Sequence, residues 1–283
     1  MTTLSSLALP AMTAIDPELD NGWLTLWFNR PDNRNALSDE LTGDLRRALE
    51  AVRDNRAVRG ITLRGRGGVF CAGGDLKSFR SMTSGAASRD GVVQMSRDGG
   101  GLMTLVNSMP QVTVAVIEGA AMAGGFGLAC CCDVVICAAD ARFAMTETMI
   151  GLSPAQISPF VLQKLGYATG RRLMLTAGRF TGADAQALGF ADFVGTDSAS
   201  LAAIEAGIRA DVLKCAPGAI ADTKALILAL PGLSGPERTE AAAHNFTDRM
   251  FSAEGREGVA SFVEKRKPVW AQGAAVKETM QDG

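Results

Sequence analysis

The order of apolar runs along this chain predicts an α/β fold with largely parallel strands, followed by a helical C-terminal part. Three observations carry that reading. Short β-rich runs at 23–28, 60–64, 111–118 and 133–138 alternate with amphipathic helical stretches, the arrangement that winds strand, helix and strand into a right-handed coil. From residue 154 the pattern is mostly helical, and apolar stripes recur through 201–283. The 32 glycines among 283 residues are about 11% of the chain, against an average near 7%, so glycine has uses here beyond ordinary turns.

The elements follow in order. Trp23-Leu24-Thr25-Leu26-Trp27-Phe28 is a strand that stops at the turn signal Asn29-Arg30-Pro31. Ser38 can cap the next helix, Asp39 and Glu40 suit its positive end, and Leu41, Leu45, Ala48, Leu49 and Val52 form one apolar stripe. Gly60-Ile61-Thr62-Leu63-Arg64 is a second strand, followed by Gly65, Gly67, Gly68, Gly73 and Gly74. After a Ser/Gly/Ala stretch at 81–91, a helix is expected over Val92–Met109. Gln111–Glu118 is the third strand and runs into Gly119, Gly124 and Gly125. A helix over Phe126–Cys132, a strand over Asp133–Ala138 and an extended Arg142–Met145 complete the α/β part. The expected division is a core over 1–200 and a helical region over 201–283.

Composition excludes several classes. This length and hydrophobic content rule out a disordered chain or a mini-protein scaffold. A net charge of −2, with basic residues dispersed, offers no positive field for a nucleic-acid backbone. The six cysteines include the run Cys130-Cys131-Cys132 but no C-x-x-C pair. They read as small buried hydrophobes of a reducing compartment rather than metal ligands. The single histidine, His244, falls in a late helical stretch, so Ser–His or Cys–His catalysis has little support. The first twenty residues do not read as a signal peptide, and runs such as Val112–Ile117 are far shorter than a membrane span. A cytoplasmic protein without a membrane partner is expected.

The chemistry concentrates in two glycine turns placed directly after strands, Phe70-Cys71-Ala72-Gly73-Gly74-Asp75-Leu76 and Ala123-Gly124-Gly125-Phe126-Gly127. Either they are tight turns needing positive φ, or they present backbone N–H groups to a ligand oxygen. No Gly-Lys-Ser/Thr closes either run, and their spacing is not that of a dinucleotide fold. Two such turns meeting around one carbonyl would form an oxyanion hole for an enolate. An enolate mechanism also needs a base, and Glu147, within Met145-Thr146-Glu147-Thr148-Met149-Ile150-Gly151, is a carboxylate in an apolar segment. Burial there would raise its pKa toward the range of a general acid/base.

These strings, with Asn29-Arg30-Pro31, Asn35-Ala36-Leu37, Glu118-Gly119, Cys132-Asp133, Phe143, Gly151, Pro154 and the late Ser261–Lys267, resemble the crotonase (enoyl-CoA hydratase/isomerase) superfamily over about 22–272. The resemblance implies a core of repeated ββα units of the crotonase (ClpP-like) type, a C-terminal helical trimerisation region, and homotrimers or dimers of trimers. It implies an acyl-CoA thioester as substrate, with no cofactor besides that CoA and no metal. Residue by residue, it puts the oxyanion amides on Gly74 and Gly124 and the catalytic carboxylate on Glu147. Arg34, Ala36, Ala72, Gly73, Asp75 and Leu76 match the stretch lining CoA. Phe262 and Lys265 match late residues that reach a neighbouring subunit's nucleotide.

The family's hydratases carry a further glutamate three residues beyond Gly124, where this chain has Gly127. That departure leans toward a double-bond isomerase using Glu147 alone. In the other direction, Ile150-Gly151-Leu152-Ser153-Pro154-Ala155-Gln156 and Arg171-Arg172…Gly178-Arg179-Phe180 look like the methylglutaconyl-CoA and isohexenylglutaconyl-CoA hydratases, a branch that also shows glycine there. The expected activity is therefore hydration of a branched unsaturated acyl-CoA, with isomerisation, or a non-catalytic binding protein of the same fold, as alternatives. Glu118 is the spare carboxylate that could stand in for the absent glutamate. Gln156 and Arg179 are candidates to hold a substrate carboxylate.

Overall fold

The computed structural model describes residues 7, 9–75, 80, 82, 85 and 87–272. The chain divides into two compact units, Met1–Glu205 and Ala206–Gly283. The first is the α/β part. Its main sheet has six strands, which lie side by side in the order β1 (Ile15–Asp20), β2 (Trp23–Phe28), β3 (Gly60–Gly65), β4 (Val112–Ile117), β6 (Val134–Ala138) and β9 (Phe193–Gly195). Only β1–β2 is antiparallel, joined by a tight turn at Asn21-Gly22; the other pairs are parallel. A second sheet is formed by β5 (Ala120–Met122), β7 (Arg142–Ala144) and β8 (Arg179–Thr181), in that order.

The parallel strands bury side chains on both faces, which is why they read as near-continuous apolar runs. Leu24, Leu26, Phe28, Ile61, Leu63 and the whole of Val114–Ile117 are inaccessible to solvent. Helix α1 (Asp39–Val52) starts as expected, with Ser38 Oγ accepting from Leu41 N at 3.3 Å, and buries Leu41, Leu45, Ala48, Leu49 and Val52. The buried carboxylate of Asp44 on α1 accepts from Thr13 N and Ala14 N, both at 2.8 Å, and so pins the entry to β1. The apolar pattern does not reveal that strand, nor the three-residue β5, β8 and β9.

Helix α2 spans Arg89–Asn107, three residues earlier at its start than the apolar pattern indicates, because Ser88 caps it through Gly91 N at 3.1 Å. Helix α3 is Gly124–Cys130, so it begins on the glycine turn itself rather than at Phe126. Phe126 anchors it by stacking on Phe190 at 4.4 Å and meeting Phe143 and Phe180 edge-on at 6.2 and 5.8 Å. The unit continues through α4 (Ser158–Thr176), α5 (Gly182–Ala185) and the start of α6 (Ser198–Lys214).

The second unit holds the end of α6, then α7 (Pro217–Ala229), α8 (Gly235–Met250) and α9 (Ala253–Val263). Its helices are tied by polar contacts: Glu254 accepts from Gly218 N and Ala219 N at 3.0 and 3.1 Å, and Arg249 pairs with Asp222 at 2.7 Å. Large apolar side chains stay uncovered in this unit, among them Phe246, Phe251, Phe262, Val263 and Val269. No helix among the described residues is long and apolar enough to cross a membrane.

Candidate active site

The two glycine turns meet. Segment 70–74 runs beside 118–122: Phe70 N donates to Glu118 O and Cys71 N to Ala120 O, both at 3.1 Å, and Met122 N returns to Cys71 O at 2.9 Å. On its other edge the same segment pairs with 34–37, through Ala72 N to Arg34 O at 3.0 Å and Leu37 N to Gly73 O at 2.8 Å. The 34–37 strip is fixed by fully buried Asn35, whose Nδ2 donates to Arg66 O and Val69 O at 3.0 and 2.7 Å.

Close approach requires glycine at this crossing. Gly73 has φ +98, and a Cβ there would lie 2.9 Å from Met122 O. A Cβ on Gly124 would lie 2.9 Å from Leu37 Cδ1 and 3.9 Å from the backbone nitrogen of Gly74. The amides of Gly74 and Gly124 are thus neighbours. As the first residue of α3, Gly124 has no carbonyl one turn earlier to receive its N–H. Ala123, just before it, is held at φ 48 and ψ −120 with its N–H bonded to Ala144 O at 2.8 Å. A non-glycine residue there stores backbone strain, which the surrounding ladder maintains.

Gly74 and Gly124 both line a cavity of about 770 Å³ lying wholly within the first unit. Its walls come from α1 (Asp39, Thr42, Gly43, Arg46), α2 (Gly91 to Met103), Leu37, Asp75, Glu147 and the loop Leu152–Ile157. That size suits a large organic group. Glu147 begins a short 3₁₀ turn, Glu147–Ile150, and its Oε2 is inaccessible to solvent with no hydrogen-bond partner among the described residues. Burial raises its pKa above the ordinary carboxylate value, against a smaller lowering by its own backbone amide. A desolvated carboxylate on the same cavity as two adjacent amides has the geometry to move protons while a carbonyl oxygen takes up charge.

Glu118 is the opposite case. Desolvation pushes its pKa up, but hydrogen bonds from Ser198 Oγ (2.6 Å) and Arg64 (2.8 Å), with the Arg64 charge, outweigh burial and hold it below the usual range. It does not line the cavity and cannot take the place of the absent glutamate, which corrects that sequence expectation. The space beside Gly127 is itself filled: a Cβ there would overlap the side chain of buried Ile157.

The remaining residues divide by position. Asp75 and Gln156 line the cavity, whereas Arg34, Ala36, Ala72 and Gly73 form the strip beside it, with Arg34 exposed in the left-handed region. Gln156 Nε2 is engaged by Ser96 Oγ at 3.0 Å, and its carboxamide oxygen rests where a side chain on Gly100 would be. Arg179 lies exposed on β8 and not on the cavity. Phe262, 85% exposed, and Lys265, at φ 55, are in the second unit. Leu76 lies outside the described residues. Burial pushes the Cys71 thiol up to about 12, so it is no thiolate nucleophile. Sequence reasoning missed Arg46, which lines the cavity from α1.

Parallel ladders feed two glycine turns, whose amides and a desolvated glutamate meet in one cavity, the arrangement that oxyanion-stabilised acyl chemistry requires. Residues 18–273 match the enoyl-CoA hydratase/isomerase family, and the chain belongs to it. It is 31% identical over 254 residues to the enoyl-CoA hydratase AFT6-1 of Alternaria alternata, covering 89% of this chain and 82% of that protein. Among solved structures, AtuE of Pseudomonas aeruginosa is 44% identical with a TM-score of 0.88, over 92% of this chain and 100% of that one. An enoyl-CoA hydratase/isomerase from Marinobacter aquaeolei is 35% identical with a TM-score of 0.87, over 92% and 99%.

Proposed function

We propose that this enzyme hydrates a branched unsaturated acyl-CoA of the isohexenylglutaconyl or methylglutaconyl type, through a thioester enolate. The observation that carries the mechanism is the placement of Glu147, desolvated and with Oε2 unpartnered among the described residues, on the same cavity as the adjacent amides of Gly74 and Gly124. The thioester oxygen accepts from both N–H groups. Glu147 takes a proton from water as the water oxygen bonds to the β-carbon, and the electron pair of the double bond moves onto the thioester oxygen as an enolate. The same carboxyl then returns the proton to the α-carbon. The amides act on charge that develops only during reaction, where one donor is worth about 3–4 kcal/mol.

The branched substrate is supported by the 150–156 and 171–180 strings and by the room the cavity offers. CoA lies along the strip Arg34, Ala36, Ala72 and Gly73, beside Asp75, with the acyl group between α1 and α2. The uncovered apolar side chains of the second unit support assembly as homotrimers or dimers of trimers, in which Phe262 and Lys265 reach a neighbour's CoA.

A double-bond isomerase is the second reading, favoured by Ile157 filling the place of the other glutamate. Incubating the protein with enoyl-CoA and branched glutaconyl-CoA esters, then weighing the products, separates the two. Gain of one water marks hydration, and unchanged mass with a shifted double bond marks isomerisation. Release of free CoA would instead mean thioester hydrolysis and end both readings.

A further inference from the structure

Arg46 is the only lysine or arginine among the described residues lining the cavity. It stands on the face of α1 that also carries Asp39, Thr42 and Gly43, at helical spacings of three and four. One guanidinium N–H, on Nη2, donates to the main-chain carbonyl of Asp98 on α2 at 2.7 Å. The Asp98 carboxylate is turned elsewhere, accepting from Gln94 Nε2 at 2.9 Å. No ion pair to Arg46 forms among the described residues, so its charge is aimed but not neutralised.

Its surroundings make that placement specific. Opposite it, α2 carries three consecutive glycines, Gly99 to Gly101, which cost a helix about 1 kcal/mol each relative to alanine. A Cβ at Gly101 would approach within 3.6 Å of Arg46 Nη2, while a Cβ at Gly99 would meet nothing within 4 Å. Of the three, Gly99 lines the cavity, Gly100 is covered by the Gln156 carboxamide, and Gly101 leaves room beside the Arg46 guanidinium. A planar fork of N–H donors matches a carboxylate bidentately, and it is more weakly hydrated than an ammonium. Arg46 is the cation that the described lining sets beside the carboxylates of Asp39 and Asp98.

We infer that Arg46 binds the second carboxylate of a glutaconyl-type acyl group and sets the preference for it over neutral enoyl esters. The inference rests on the substrate class proposed above. It assigns to Arg46 the role that the sequence motifs suggest for Gln156 or Arg179.

The test compares wild type, Arg46→Met and Arg46→Lys on 3-methylglutaconyl-CoA and on 3-methylcrotonyl-CoA, which lacks only the carboxylate. The expected result is a loss of about 10- to 100-fold in kcat/KM for the carboxylated ester in Arg46→Met, the size of a hydrogen bond to a charged group, carried mostly in KM. The neutral ester should be little affected, and Arg46→Lys should recover part of the loss. An undiminished preference for the carboxylated ester in Arg46→Met overturns the assignment and leaves the proposed function standing. Equal losses on both esters, which share every CoA phosphate, make Arg46 a CoA contact or a brace between α1 and α2 and also overturn it. Wild-type turnover of the neutral ester alone removes the substrate class and the inference together.

Discussion

Glu118 and Glu147 both follow strands of the α/β unit beside glycine turns, yet their acidities move in opposite directions. Glu118 receives Arg64 and Ser198 and is held ionised. Glu147 Oε2 receives nothing among the described residues, and burial favours its neutral form. Burial by itself therefore does not decide what a carboxylate does. The presence or absence of donors does, and only in the carboxylate left without them does burial favour the protonated form.

The largest test of that contrast exchanges each carboxylate for its amide. Glu147→Gln should lower kcat about 10²- to 10⁴-fold, the range for a general acid/base, while Glu118→Gln keeps near wild-type turnover and loses about 1–3 kcal/mol of stability. Steady-state rates with chemical denaturation read both, and a comparable loss of turnover in Glu118→Gln would break the contrast. Next in size, Gly124→Ala places a methyl against Leu37 and near the Gly74 amide. It should cost about 10²-fold in kcat, as for a damaged oxyanion donor, with far-UV circular dichroism unchanged. Gly99→Phe, projecting into open cavity, should reduce kcat/KM about tenfold for branched esters and spare crotonyl-CoA.

The smallest effect is on stability against pH. Glu147 has a folded pKa above its ordinary 4.5, so its contribution is fully present below that value and is lost as pH rises through the folded one. Glu147→Gln should flatten that loss and be the more stable protein at neutral pH. Glu118 runs the other way: its contribution is present above the ordinary range and is lost as pH falls through its lowered value. Unfolding titrations at several pH values should show the two substitutions changing opposite limbs of the curve.

Much of the core could be read from sequence because two-sided burial writes itself as apolar runs, as at Trp23–Phe28 and Val112–Ile117. Strand β1 could not. It is an edge strand carrying Asp16, Pro17, Glu18 and Asp20, the composition that blunts a sheet edge, and a distant carboxylate, Asp44, fixes its entry. Strands of three residues exist only through their partners' ladders. At the site, glycines after strands marked Gly74 and Gly124, but the bridge of Cys71 to Ala121 that brings them together is a long-range pairing with no local trace. Arg46 sits next to Arg47 on a helix and reads as an ordinary solvated basic face until α2 is placed opposite.

The interlock of Gly127 with Ile157 constrains the order in which this active site could change. A glutamate introduced at 127 first would collide with the β-branched side chain of Ile157. Shortening Ile157 first would leave a void and its destabilisation, yet only then could the second carboxylate be accommodated. A second carboxylate at 127 is thus coupled to a change at 157. Gly127→Glu should give a folded protein with Ile157→Ala in place and a destabilised one without it, as read by thermal unfolding.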